Sequence, residues 1–351
     1  MKINKISASL LVLLLVGCSS QPQYHTFGGH AQGGVWQVKA NITNVKVRSA
    51  KIQKDIEAIL EDIDTTLSGY NMGSLLSRLN DGDTIVPNAM LCKVYNDAHE
   101  LWKETNGALD CASGPLYDIW GFGFKGGGFP TQEQVAEALA IGGMARLVPR
   151  MEDAIRDGKL HASWLYSSEP TSTAVPRLNF NSVAQGYSCD TVASYLNKIG
   201  VTDMLVDIGE IWCRGLNDSG KPWRVGVDRP TDGNNTPGAD LDGIWEADNP
   251  NGQGLVTSGN YRRFFLVDGI KYPHSVDPRT GYPVSGNPLL SATVVAATGE
   301  LADAYATYCM VIGLDAAKEF INSRPDLEGY LIYDTFYGME EWSSSGFNLL
   351  K

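Results

Sequence analysis

The sequence predicts an α+β fold. Helical periodicities occupy its earlier part, and short β-branched or aromatic runs between turn residues occupy its later part. The regular strand–helix alternation of a doubly wound sheet is absent.

Ile52, Ile56, Ile59, Leu60, Ile63 and Leu67 recur along one helix face, which places an amphipathic helix over about 50–67. A second is predicted over 89–105, with Val94, Ala98, Leu101 and Trp102 inward and Gly107 as its terminator. Thr131 and Gln134 have the spacing of a capping box for a third helix, ending near Ile141-Gly142-Gly143. A fourth runs over 183–199 and stops at Gly200, and a fifth over 300–312 follows Thr298-Gly299. Strands are predicted over 204–208, 223–227, 264–267 and 291–297. The polar stretch 146–178 reads as a loop or insertion.

The chain has 351 residues, with 28 Lys+Arg against 40 Asp+Glu and a net charge of −12. No basic block is present to neutralise a row of phosphates, which argues against nucleic-acid binding. The 43% hydrophobic content excludes a disordered chain, and no solenoid or propeller period is visible. Lys2 and Lys5 precede an apolar run over 6–16 that is too short to span a bilayer, and the run ends in Leu15-Val16-Gly17-Cys18. Residues 1–17 therefore read as a lipoprotein signal peptide. Cys18 is the expected acylated N-terminus, 18–30 a tether, and 31–351 one catalytic domain on the periplasmic side of a bacterial membrane. The remaining cysteines, Cys92, Cys111, Cys189, Cys213 and Cys309, lack CxxC spacing and read as buried thiols.

Several segments carry chemistry. Gly121-Phe122-Gly123-Phe124-Lys125-Gly126 fits GxGxxG but lacks the strand, helix and distal acid of a Rossmann unit, leaving a loop against a flat ligand or a plain surface loop. Asp303 and Thr307 lie one helical turn apart with small alanines between them. They read either as an oxygen pair for a hard cation in a surface groove, or as an exposed acid beside a threonine bonded to its own helix. His274 precedes Asp277-Pro278-Arg279-Thr280-Gly281, a turn that presents an imidazole and backbone amides. A hydrolytic triad of Ser258, His274 and Asp277 is discounted, because GxSxG is missing and the last two lie too close in sequence.

Taken in order, these segments resemble the ApbE family of FAD:protein FMN transferases over about 32–332. The resemblance is carried by Gly107-Ala108-Leu109-Asp110, Gly114-Pro115-Leu116, Trp120-Gly121-Phe122-Gly123, Asn179 to Tyr187, Asp207-Ile208-Gly209-Glu210, Thr257 to Tyr261, His274 to Gly281 and Ala302-Asp303-Ala304 with Thr307. It implies an α+β fold with a mixed or antiparallel sheet and flanking helices. It also implies Mg²⁺-dependent transfer of FMN from FAD to a threonine of an acceptor redox protein, with release of AMP. By position, Asp303, Thr307 and Ser182 would hold the metal, and His274 and Asp303 would be catalytic. Ala108, Leu109 and Asp110 would line the adenosine or ribityl end, Gln32 and Tyr70 would lie near the flavin, and Asn179, Gln185 and Val276 would make further FAD contacts. Gln32 stands where many members have Met, Asn179 for a usual Asp, and Gln185 for a usual Lys or Glu.

The residues agree with such chemistry. An acidic chain holds an anionic dinucleotide only where a cation and backbone amides supply local positive potential, and the helix starting near Gly299 is expected to offer its N-terminus for that purpose. His274 is placed to accept a threonine proton. With water as acceptor the same site would be an FAD pyrophosphatase, and without turnover a flavin-binding lipoprotein.

Overall fold

The computed structural model describes residues 22–168, 176–234 and 236–351. Cys18 and the apolar leader lie outside them. No described helix is long and apolar enough to cross a membrane.

The described chain starts as a hairpin, β1 (Tyr24–Ala31) and β2 (Gly34–Asn41). Residues 24–30, expected in the tether, are thus part of an edge strand. Its two-residue turn places Gln32 at φ +52° and Gly33 at +78°, the left-handed pair that tight hairpins require. Helices α1 (Ser49–Leu67) and α2 (Leu75–Asn80), strand β3 (Thr84–Ile85) and helix α3 (Ala89–Glu104) follow. Next come α4 (Gly114–Ile119) and α5 (Gln132–Ile141), the latter opened by the capping box at Thr131 and Gln134. The segment read as an insertion holds β4 (Leu160–His161) and short 3₁₀ turns that bury Met151, Ala154 and Leu165, so it is packed though irregular.

Then come α6 (Ala184–Lys198), β5 (Met204–Asp207), β6 (Ile211–Arg214), β7 (Arg224–Asp228), β8 (Leu241–Glu246), β9 (Gln253–Gly259), β10 (Phe264–Val267), β11 (Ile270–Pro273), β12 (Val276–Asp277), β13 (Tyr282–Pro283) and β14 (Leu289–Ala296). The chain closes with α7 (Gly299–Ile312), α8 (Leu314–Ser323), β15 (Glu328–Thr335), β16 (Gly338–Ser343) and β17 (Leu349–Leu350).

The main sheet has eight strands in the order β1-β2-β5-β6-β9-β14-β15-β16. Every neighbouring pair is antiparallel. One face carries Trp36, Val38, Met204, Val206, Ala292, Val294 and Leu331 into a core shared with α1, α3, α6 and α7. The other carries Cys213, Leu255, Val295, Tyr330 and Ile332 against Trp223, Val227 and Trp245 of the small β7-β8-β17 sheet. Both faces are covered, and this is why β14 is buried at nearly every residue rather than at alternate ones. A third cluster (Leu116, Trp120, Phe122, Val135, Ala138 and Val276) is the floor under the isolated β10–β11 hairpin. All five described cysteines are buried free thiols.

Two helices cross where no side chain fits. A Cβ on Gly186 would meet the Gly299 carbonyl oxygen at 2.1 Å, and one on Gly254 would meet Thr298 O and Gly299 Cα at 2.6 Å. At this contact each helix caps the other. Asp190 of α6 accepts from the Gly299 amide (2.7 Å) and the Glu300 amide (2.9 Å) at the start of α7, and Asp303 of α7 accepts from the Gly186 amide (3.2 Å) near the start of α6.

A methyl group at this crossing has backbone, not flexible side chain, to displace. Gly186→Ala is expected to destabilise the fold by about 1–3 kcal/mol. Urea denaturation of the purified chain measures this, and an unchanged midpoint would contradict the packing described.

Candidate functional site

Antiparallel alternation gathers the β1–β2 turn, the β5–β6 connection and the C-terminal end of β9 at one end of the sheet. The start of α6 lies over that end. Gln32 Nε2 donates to Ser188 Oγ (2.6 Å) and Gln185 Nε2 to Ile208 O (3.4 Å), which ties the turns to the helix.

Two spaces open there. A cavity of about 120 Å³ is lined by Leu109, Asp110, Tyr117, Phe122, Asn179, Ser182, Ser258 and Thr307 among others. A groove of about 700 Å³, within the usual range for a small-molecule site, is lined by Gln32, Tyr70, Asn71, Ala184 and Gln185 among others. Asn181, Arg263 and His274 belong to both linings and form their common wall.

The turn leading into α6 is built on itself. Asn179 donates its amide to Cys111 O (2.7 Å), its Oδ1 accepts from the Asn181 amide (3.0 Å), and Asn181 Nδ2 donates to the Tyr70 hydroxyl (3.3 Å). Thr307 Oγ1 lies 3.3 Å from Ser258 Oγ, and Ser182 Oγ 3.8 Å from Cys111 Sγ. Asp303, one turn before Thr307, is 5% exposed and not a groove-surface acid as its sequence context predicted. Burial pushes its carboxyl well above the ordinary range. Glu210 is raised too, by burial first and then by the charges of Asp303 and Asp207, and Arg262 only partly offsets this.

This donor set fits a small hard cation. Its groups are all oxygen, and the mutual repulsion of two desolvated carboxyls is what a bound divalent ion relieves. Ser182 and Thr307 line the cavity and could contribute to holding it; Asp303 stands one turn before Thr307 but lines neither space, and its carboxylate accepts from the Gly186 amide. Among the described residues no group of three or more His, Cys, Asp and Glu forms a closed cage, so most of the coordination shell would fall to ligand and solvent oxygens.

His274 stands at the base of the β10–β11 hairpin. Its amide and its Nδ1 both lie 3.1 Å from Arg263 O. A carbonyl only accepts, so Nδ1 carries the proton and Nε2 keeps its lone pair. Burial, with a smaller contribution from the Arg263 charge, lowers the pKa of this imidazole.

Other expected positions are used differently. The Asp110 carboxylate accepts from the Ala112 amide (2.8 Å) and the Met144 amide (3.0 and 3.1 Å), and burial raises its pKa to about 6. It lines the cavity while bracing the backbone around it. Ala108 and Val276 are buried, at 1% and 0% exposure, and their side chains line neither space. The α7 N-terminus does not face a ligand: Asp190 and the Thr298 hydroxyl take its Gly299, Glu300 and Leu301 amides. The helix start beside the two spaces is that of α6, whose Ser182, Ala184 and Gln185 line them. Asp277 is held by both Arg279 Nε (2.9 Å) and Nη2 (2.8 Å), which removes it as an orienter of His274. The Gly121–Gly126 segment follows a helix, as in no Rossmann unit, and sends Phe122 into the cavity and Phe124 edge-on to Tyr70 (4.9 Å). Reading the sequence did not single out Arg263 or Asn181, and gave Glu210 no role. The first two sit inside recognised segments or next to them, where only register shows which way they point.

Comparison with known proteins agrees with this geometry. The ApbE family model matches residues 33–331. The chain is 33% identical to the FAD:protein FMN transferase of Haemophilus influenzae, over 99% of this chain and 97% of that one. It is 31% identical to the FAD:protein FMN transferase of Escherichia coli K12, over 98% and 96%. Among solved structures it is similar to the flavin transferase ApbE from Vibrio cholerae, with a TM-score of 0.74 at 29% identity, covering 93% of this chain and 98% of that one. The apo form of the Pseudomonas stutzeri flavinyl transferase ApbE gives 0.76 at 28%, covering 93% and 96%.

Asp303→Asn keeps an acceptor for the Gly186 amide and removes the charge. The variant is expected to melt no lower than the wild-type chain in the absence of metal, and to lose the upward shift that millimolar Mg²⁺ gives the wild type. Equal Mg²⁺ shifts in both proteins would contradict the metal assignment.

Proposed function

The chain belongs to the ApbE family, and from that membership and the site's geometry we propose that it is an FAD:protein FMN transferase that passes FMN to a threonine hydroxyl and releases AMP. The observation that carries this reading is the common wall. One imidazole whose Nε2 has no hydrogen-bond partner among the described residues stands between a groove large enough for a flavin and a cavity lined by Ser182, Ser258 and Thr307.

In this reading the groove beside Gln32, Tyr70 and Gln185 takes the flavin end of FAD, and the shared wall takes the diphosphate. Asp303, Thr307 and Ser182 would hold Mg²⁺, which would supply charge neutralisation on phosphate oxygens. His274 Nε2 accepts the proton of the incoming threonine hydroxyl. The threonine oxygen forms its bond to the flavin-side phosphorus, the bond from that phosphorus to the bridging oxygen breaks, and the electron pair leaves on AMP. Arg263 O holds Nδ1–H throughout, so the base presents the same tautomer in every cycle.

The acceptor is a threonine-bearing domain of an extracytoplasmic or membrane redox protein, and the chain is lipid-anchored through Cys18 with its domain in the periplasm. That reading rests on the leader Lys2 to Cys18. Mass spectrometry of the mature N-terminus tests it: a diacylglyceryl-Cys18 is expected, and an unprocessed Met1 contradicts it.

Incubating the chain with FAD, Mg²⁺ and a threonine-bearing acceptor domain is expected to give flavin fluorescence that survives denaturing electrophoresis. FMN and AMP appearing at the same rate without acceptor would favour hydrolysis instead. His274→Ala is expected to slow transfer by about 10²–10⁴-fold with FAD affinity little changed. An equal loss of affinity and rate in His274→Ala would remove His274 as the base.

A further inference from the structure

We propose that the Arg263 guanidinium grips the diphosphate of FAD and makes this site select a dinucleotide over a phosphate-free flavin, an inference that rests on the transferase reading above.

Arg263 is the one Lys or Arg among the residues lining either space, and it lines both. Its chain neighbour shows what an engaged arginine looks like here. Arg262 donates Nη2 to Asp228 (2.6 Å) and lies 5.2 Å over the Tyr261 ring. Arg263 has no carboxylate partner among the described residues. Its Nη2 donates to Gly121 O at a long 3.3 Å, and its guanidinium lies 5.8 Å over the Phe122 ring. A planar guanidinium supported on an aromatic face keeps its remaining N–H donors for a bidentate oxyanion.

The backbone beneath it is fixed. The β10–β11 ladder is continued by the His274 amide on Arg263 O, and the hairpin is clamped by Phe265 stacked on Phe122 at 4.9 Å and Tyr272 on Trp120 at 6.1 Å. The cation and the base are therefore a facing pair at the base of one small hairpin. Charge balance points the same way. A divalent ion beside the ionised Asp303 leaves one net positive charge for a diphosphate carrying two negative ones, and Arg263 supplies the second. Arg263 and His274 both line the cavity and the groove, so the cation and the base border the same two spaces.

The test is fluorescence titration of the wild-type, Arg263→Gln and Arg263→Lys chains with FAD and, separately, with riboflavin, in the presence of Mg²⁺. Arg263→Gln is expected to weaken FAD binding roughly 10- to 100-fold and riboflavin binding less than about 2-fold, with Arg263→Lys between wild type and Gln for FAD. Arg263→Gln binding FAD as the wild type does overturns the proposal and leaves the transferase reading standing. Parallel loss of FAD and riboflavin also overturns it, since that is the signature of a collapsed hairpin. A wild-type chain that binds no FAD overturns both.

Discussion

Two carboxylates in exchange hold this site together. Asp190 leaves α6 to satisfy the first amides of α7, and Asp303 leaves α7 to satisfy an early amide of α6. Helix starts carry unsatisfied amides and partial positive charge, so each acid is favoured where it sits even though burial raises both pKa values. The exchange requires the helices to touch, and the Gly186–Gly299 contact allows it. It also fixes the register of α7, which decides that Thr307 reaches the cavity one turn further on. The residue proposed as a metal ligand is thus the residue that docks the two helices.

An acidic chain that binds a dinucleotide must concentrate its positive potential. Here two such sources border the two spaces: the start of α6 and the Arg263 guanidinium. The wall between those spaces holds His274, the proposed base. Because a backbone carbonyl fixes the His274 tautomer, no carboxylate orienter is needed, and Asp277 is left to close the turn with Arg279.

Much of this was legible before any coordinates. Amphipathic period located α1 and α3 to within a residue or two, α6 and α7 lie within a residue of the spans read beside Gly200 and Thr298-Gly299, and the capping box marked the start of α5. Of the residues that the ordered motifs assigned to the site, Leu109, Asn179, Ser182, His274 and Thr307 line one cavity. What failed was what depends on partners distant in sequence. The α7 N-terminus looked open because its cap, Asp190, lies more than a hundred residues earlier. Strand β1 looked like tether because an edge strand is defined by its pairing with β2, and residues 24–31 carry no strong apolar alternation of their own. Ala108 and Val276 sit within recognised segments, yet packing turned their side chains inward. Arg262 and Arg263 are chemically identical in sequence, and only the alternation of the chain into β10 sends them to opposite sides.

The most direct measurement is the anomalous signal of Mn²⁺ in crystals of the chain soaked with FAD. The account predicts a peak within about 2.5 Å of an Asp303 carboxylate oxygen and of Thr307 Oγ1, with the diphosphate of FAD against it. A metal peak away from Asp303, or a diphosphate seated away from the wall formed by Asn181, Arg263 and His274, would contradict it.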